Sequence, residues 1–172
     1  MAHCHPRRVI SIGLAVFVVM AAPVQAAPRL ALMQPELDGD LSDTSKQEQW
    51  HQRLDRLERQ VQDGLGGDLY AIVDPQPAAD LFAQYAQRAA VYQCVPCALE
   101  VAKRLDAERV LSLRVFRMSH LVMNLHAILR DAETGSVRYA RFLSFRGDTD
   151  EAWQHAAHFL IRDMRKIPAD KL

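Results

Sequence analysis

The chain has 172 residues, of which 49% are hydrophobic, and its 21 lysine and arginine residues balance its 21 aspartate and glutamate residues. A balanced charge without a basic run argues against nucleic acid as a partner and against strong electrostatic binding to anionic lipid. The length suits one domain that can bury a core, so the sequence predicts a single folded unit.

The first 26 residues have the pattern of a cleaved secretory signal peptide. Arg7 and Arg8 form a short basic start, an apolar run follows over 9–20, and the Val-Gln-Ala motif at 24–26 offers small side chains to a signal peptidase. The apolar run has about a dozen residues, whereas a transmembrane helix needs about 20. We therefore expect cleavage after Ala26, a periplasmic product and no transmembrane span after cleavage.

The mature chain begins with a predicted β-α-β unit. Residues 29–34 predict a strand, and 35–43 predict a polar loop with an Asp-Gly-Asp turn. Ser45 and Glu48 form a capping box that predicts a helix start. An apolar stripe at helical spacing follows, made of Trp50, Leu54, Leu57, Val61 and Leu65. The opposite, polar face is predicted to hold Arg53, Arg56, Arg59 and Gln60, and Gly64, Gly66 and Gly67 are predicted to end the helix.

The middle of the chain predicts one more short strand and two helices. Residues 69–73 predict the strand, and Asp-Pro-Gln-Pro at 74–77 ends it. The alanine-rich segment 78–91 predicts a helix. Pro96 suits the first turn of a further helix, because its missing N–H is not needed there. The apolar face of that helix is formed by Ala98, Val101, Ala102 and Leu105.

From Arg109 onward the apolar period changes to two, which indicates strands. Residues 110–118, 121–130 and 137–145 predict three of them. In the second, one face holds Leu121, Met123, Leu125, Ala127 and Leu129. Asp148, with Glu151 three residues later, predicts the cap of a final helix. That helix has a buried stripe of Trp153, Ala156, Ala157, Leu160 and Met164.

The predicted order of elements is β-α-β-α-α-β-β-β-α over one domain of residues 27–172. An early β-α-β unit followed by a meander indicates a single mixed β-sheet with helices packed on it. The predicted fold class is therefore α+β (mixed α/β).

Three segments resemble a family of small exported bacterial proteins of unknown function, the DUF2380/DUF3280 type. They are Cys-Val-Pro-Cys-Ala-Leu-Glu-Val-Ala-Lys-Arg-Leu-Asp-Ala-Glu-Arg-Val-Leu at 94–111, Arg-Asp-Ala-Glu-Thr-Gly at 130–135, and Arg-Gly-Asp-Thr-Asp-Glu-Ala-Trp at 146–153. The resemblance extends from about Leu30 to Met164. It implies an envelope location, and it brings no catalytic residue.

The pattern of a helix, Leu-x-Ala-x-x-Val-Leu, two strands and Asp-Ala-x-Thr-Gly-x-Val is also similar to TolB N-terminal-like and curli-secretion-lipoprotein-like α/β domains. That similarity implies a turn between two strands at the Asp-x-x-Thr-Gly piece. Asp106 departs from the pattern, because glycine is commoner between the helix and the strand. Since one fold serves many functions, the similarity implies a fold and no activity.

Cys94 and Cys97 are the first candidate site. Export permits a disulfide between them, and we expect this pair to act as a structural clip. Two alternatives stay open. A Cys-x-x-Cys at a helix start can also be a redox pair, with Cys94 as nucleophile and Cys97 as resolving thiol, or the two can bind a metal. Ala98 stands where a haem-attachment motif needs histidine.

Histidines supply two weaker metal candidates. Glu151, His155 and His158 can share one helix face, although a solvated face explains them equally. His120 and His126, together with Met118 and Met123, have the ligand types that copper prefers. Regular strand geometry places Met123 on the opposite side from the other three. The sequence therefore predicts no metal or other cofactor at these positions.

Known catalytic motifs are absent from the sequence: it contains no Gly-x-Ser-x-Gly, phosphate loop, His-Glu-x-x-His, dinucleotide fingerprint or EF-hand loop. The favoured function is a non-enzymatic periplasmic accessory or binding protein that contacts a protein partner in the cell envelope. The alternatives are a thiol–disulfide oxidoreductase built on Cys94 and Cys97, and a metal-handling protein.

Overall fold

The computed structural model describes residues 26–86, 88, 91–168 and 171–172. Apart from Ala26, the predicted signal peptide lies outside the described residues. No helix among the described residues is long and apolar enough to cross a membrane. The described chain forms one mixed sheet with helices on both faces, which confirms the predicted α+β class.

Six strands and four helices are present in the described part of the chain. The strands are β1 (Arg29–Leu32), β2 (Glu36–Gly39), β3 (Ala71–Ile72), β4 (Arg109–Arg117), β5 (Val122–Asp131) and β6 (Val137–Arg146). The helices are α1 (Gln47–Leu65), α2 (Ala79–Tyr85), α3 (Val95–Arg104) and α4 (Asp150–Met164). Short 3₁₀ turns occur at Thr44–Lys46, Gln76–Ala78 and Val91–Gln93.

The strand order across the sheet is β3-β1-β4-β5-β6. β1 pairs in parallel with both β3 and β4, so the predicted β-α-β unit is present. β4, β5 and β6 form the predicted antiparallel meander. β3 and β6 therefore lie at the two ends of this strand order.

β2 was not predicted. It lies inside the segment expected to be a polar loop, and it pairs in parallel with the second half of β4. Gly39 ends β2 at a φ of 104°, where a side chain is strained. A Cβ at this position would also come within 2.2 Å of the Arg117 carbonyl oxygen. The Asp-Gly-Asp turn signal was therefore correct for the end of β2, whereas the strand before it is fixed by pairing with a distant segment.

Two helical layers enclose the sheet. α1 and α4 cover one face, over a core that includes Leu30, Leu111, Leu125 and Leu160. α2 and α3 cover part of the other face, above Ala31, Met33 and Val110. Each fully buried aliphatic side chain contributes about 1.5–3 kcal/mol, so these two layers supply most of the stabilisation.

Close packing between α1 and α4 requires a small residue inside α1. Gly64 was expected to end that helix, but α1 continues to Leu65. The Ile161 side chain of α4 lies so close that a Cβ on Gly64 would come within 2.6 Å of it. The residue that looked like a helix breaker is therefore a packing position.

The start of α1 also differs from the prediction. A 3₁₀ turn over Thr44–Lys46 precedes the helix, and the Asp43 carboxylate accepts a hydrogen bond of 3.2 Å from the Ser45 N–H. The predicted capping box of Ser45 and Glu48 is therefore wrong, because Asp43 provides the cap two residues earlier. β3 and α2 are also shorter than the predicted 69–73 and 78–91.

Candidate interaction surface

Cys94 and Cys97 are joined by a disulfide at the N-terminus of α3, with their Cα atoms 5.3 Å apart. The Cys94 sulfur caps the helix, accepting from the Cys97 N–H at 3.3 Å. Cys97, in the first turn of α3, is buried, while Cys94 is half-buried. The pair joins the 3₁₀ turn before it to the first turn of α3, which suits a local clip.

Tyr92 lies in the 3₁₀ turn just before the disulfide and packs onto the sheet. Its ring centroid is 6.1 Å from that of His126 on β5, and the Arg114 guanidinium lies 5.9 Å from the Tyr92 ring. Burial raises the pKa of Tyr92 to about 12. The tyrosine therefore stays neutral, and its aromatic ring packs beside the outer side of β5.

His126 is the one histidine candidate with defined ring contacts on the sheet. Its ring meets that of Phe142 edge-to-face, with centroids 4.6 Å apart. Burial, and then the charge of Arg114, lower the pKa of His126 below the usual histidine value. His126 is therefore neutral at pH 7 and serves as an aromatic packing group.

The outer side of the β5–β6 hairpin forms an uncovered surface. Three cross-strand pairs define it, because Asn124 faces Ser144, His126 faces Phe142, and Ile128 faces Ala140. We call this surface the hairpin face, made of Val122, Asn124, His126, Ile128, Ala140, Phe142 and Ser144. None of these residues is buried. Phe142 is 65% exposed, so the hairpin face presents an aromatic ring to solvent.

The end of the hairpin adds more exposed apolar surface. Leu121 was predicted to share the buried face of β5, but it lies just before the strand and is 61% exposed. Met118 is also exposed, whereas Met123 is fully buried, as strand alternation predicts. Met123 and His126 therefore lie on opposite faces of the sheet, so these two candidate copper ligands cannot bind one ion.

The remaining histidine candidates are exposed and apart from the hairpin face. His120 lies in the turn between β4 and β5, and His155 and His158 lie on the exposed side of α4. Within the described residues, no group of three or more His, Cys, Asp or Glu side chains could hold a metal ion. The geometry therefore gives the metal-handling alternative no support.

A buried ionic cluster was missed in the sequence. Asp148 was expected to cap α4, but Thr149 caps it, accepting from the Ala152 N–H. The Asp148 carboxylate points inward and accepts from Arg53 Nη1 at 2.7 Å. Trp50 Nε1 donates to it at 2.8 Å. The prediction that Arg53 lies on the polar face of α1, opposite the apolar stripe, was also wrong, because Arg53 is buried with Trp50 and Leu57.

Two further groups complete the Asp148 cluster, which we define as Trp50, Arg53, Arg117, Asp148 and Trp153. Trp153 Nε1 donates to Asp148 at 3.2 Å, and Arg117 Nε lies 3.4 Å from it. The side chain of Asp148 is 3% exposed. These contacts connect α1, β4 and the start of α4, so the cluster is structural. One signal pointed to it: Arg53 falls between Trp50 and Leu57 at helical spacing.

A surface cleft of about 700 Å³ lies at the opposite end of α3 from the disulfide. Its charged lining residues include Lys103, Glu108 and Glu133, and Arg109 pairs with Asp131 there at 2.9 Å. Among its described lining residues there is no serine, cysteine or histidine.

Several solved structures resemble the chain. The C-terminal domain of LpoB from Escherichia coli has a TM-score of 0.50 and 14% identity, over 73% of this chain and 87% of that chain. Lipoprotein GNA1162 from Neisseria meningitidis has a TM-score of 0.48 and 13% identity, over 81% and 94%. TolB from Acinetobacter baumannii has a TM-score of 0.47 and 13% identity, over 84% and 30%. The LpoB similarity shows a shared fold.

No curated protein sequence matches the chain. Residues 28–164, which cover most of it, match the family DUF3280, described as "Protein of unknown function (DUF2380)". This confirms the resemblance inferred from the cysteine motif and the Asp-Ala-Glu-Thr-Gly turn. The chain therefore belongs to the DUF3280 (DUF2380) family.

Proposed function

We propose that the mature chain is a non-enzymatic accessory protein of the periplasm that binds a protein partner through the hairpin face. One observation carries this proposal: α2 and α3 cover the β1–β4 part of this sheet face, while none of the hairpin-face residues is buried. Contiguous apolar patches on a protein surface can mark interaction sites, and Ile128, Ala140 and Phe142 are neighbours on this face.

The disulfide supports this role by shaping one border of the surface. It holds the turn of Tyr92 next to α3, and Tyr92 in turn packs against His126. A border fixed before binding lowers the entropy that must be lost when a partner docks. In this proposal the role of the clip is therefore structural.

Two experiments test the proposal. Fractionation of cells that produce the full chain should find a periplasmic product shortened by the predicted signal peptide. A photo-crosslinking amino acid at Ser144, on the hairpin face, should capture one dominant partner. The same amino acid at Gln154, exposed on α4, serves as the control. The adduct at position 144 should disappear when Phe142→Asp is added, and equal capture at both positions would contradict the proposal.

Thiol–disulfide exchange is the second candidate, because Cys94 caps α3 and is the more exposed sulfur. The reduction potential of the pair separates the two functions. A value below about −300 mV marks a structural disulfide, whereas one between about −270 and −120 mV marks an exchange protein. In the second case, Cys97→Ser should trap a mixed disulfide through Cys94.

A further inference from the structure

β6 is a ten-residue strand at one edge of the sheet. Within the part of the chain that the structure describes, β5 is its only paired neighbour. One row of its backbone N–H and C=O groups therefore points away from the sheet. Such a row can accept an extended segment of another chain through main-chain hydrogen bonds.

The charge on β6 is of one sign. The strand carries Arg138, Arg141 and Arg146, and it contains no carboxylate. Arg141 lies 3.4 Å from Asp163 of α4, and the Arg138 Nε donates to the Leu172 carbonyl at 3.4 Å. Arg146, at the exposed end of the strand, has no ion pair among the described residues. The edge therefore combines a row of free backbone groups with one arginine, Arg146, whose charge no described carboxylate offsets.

This charge argues against a second copy of the chain as the neighbour. If two β6 strands paired antiparallel with Phe142 opposite Phe142, Arg138 of each copy would face Arg146 of the other. Like charges directly opposite each other destabilise a strand pair. Other registers also lack a carboxylate on either strand, so the sequence of β6 disfavours self-pairing.

We infer that β6 accepts an extended, acidic segment of a partner protein as an added strand of the sheet. This inference rests on the proposed function and specifies the partner's chemistry. Arg146 and Phe142 lie on the same face of β6, so a carboxylate of that segment would lie beside Arg146, and an apolar side chain four residues away would lie beside Phe142. Main-chain bonds would supply affinity, and charge would select the partner.

The test uses the mature protein and a capped nine-residue peptide, Glu-Thr-Val-Thr-Val-Thr-Val-Thr-Glu, which as a strand presents two glutamates and three valines on one face. Hydrogen exchange is measured with and without this peptide, and the same peptide with lysine in place of glutamate is the control. The acidic peptide should slow exchange in β6 and leave β3, at the other sheet edge, unchanged. Arg146→Glu should weaken binding by about fivefold, equivalent to about 1 kcal/mol.

Arg59→Glu makes the same charge change at an exposed position of α1 and should leave peptide affinity unchanged. The inference is overturned if the acidic peptide leaves β6 exchange unaltered, if the lysine peptide binds equally, or if both charge reversals weaken binding alike. Binding to vesicles of anionic lipid in preference to the peptide, or a dimer through β6 in sedimentation, would also overturn it.

Failure of this inference can be told from failure of the proposed function. If crosslinking at Ser144 still captures a partner while the acidic peptide gives no β6 protection, the hairpin face binds without strand addition. If neither crosslinking at Ser144 nor protection of β6 is observed, both proposals are contradicted.

Discussion

Replacing Asp148 by asparagine should be among the most damaging single changes in the chain. Asparagine has nearly the same shape, but it lacks the negative charge that faces Arg53 at 2.7 Å and Arg117 at 3.4 Å. Its amide nitrogen also cannot accept from Trp50 or Trp153. The substitution therefore leaves two buried guanidinium groups without their common counter-charge.

The burial of Asp148 and Arg53 determines how much stability this substitution should remove. The Asp148 and Arg53 side chains are 3% and 9% exposed, so solvent cannot replace the lost contact. Removing one partner of a buried pair costs about 3–5 kcal/mol. In a domain of this size that loss lowers Tm by about 6–20 °C.

Urea titration followed by tryptophan fluorescence, together with calorimetry, measures this change. Asp150→Asn is the matched control, because Asp150 contacts Arg53 Nε at 2.7 Å but is 62% exposed. Exposed pairs contribute at most about 1 kcal/mol, so this variant should lose far less stability. Equal losses for both variants, or a loss below about 1 kcal/mol for Asp148→Asn, would refute the structural role assigned to the cluster.

Three further changes test other parts of the structure. Replacing Cys94 and Cys97 by serine should lower the free energy of unfolding in urea by about 2 kcal/mol, because the disulfide closes only a four-residue loop. Since the pKa of His126 is lowered in the fold, the native state resists its protonation, and the resulting stability is lost as the pH falls below about 6.5. His126→Gln should therefore reduce the difference in Tm between pH 7.5 and pH 5, and an unchanged difference would contradict this assignment. Asp106 has a φ of 50°, so Asp106→Val should be less stable than Asp106→Gly by about 1–2 kcal/mol in the same titration.

Local signals were enough to predict most of the fold. The apolar stripes of α1 and α4 and the alternation in β5 mark faces that burial then fixes. Asp106 stands where the similar domains more often have glycine, yet it meets the same backbone requirement. It takes the left-handed conformation for which glycine is commoner, and aspartate adopts that conformation more readily than most residues.

Features that depend on distant contacts could not be predicted from local sequence. β2 has only four residues, and its conformation follows from pairing with β4. Asp148 looked like a helix cap, because caps and buried carboxylates use the same residue types and only the fold brings Arg53 beside it. The hairpin face could not be predicted either, because the exposure of Phe142 depends on which strands α2 and α3 cover.

The strand order divides the sheet into a part built from near neighbours and a part built from distant segments. β4, β5 and β6 follow one another through short turns, so their pairing closes only small loops. β1, in contrast, pairs with a distant segment of the chain at the start of β4. Arg29 and Glu108, which are hydrogen-bonded there, are 79 positions apart in the sequence. Closing a long loop costs more entropy and slows folding. We therefore expect the meander to form early, and the strand that comes first in the sequence to join the sheet late.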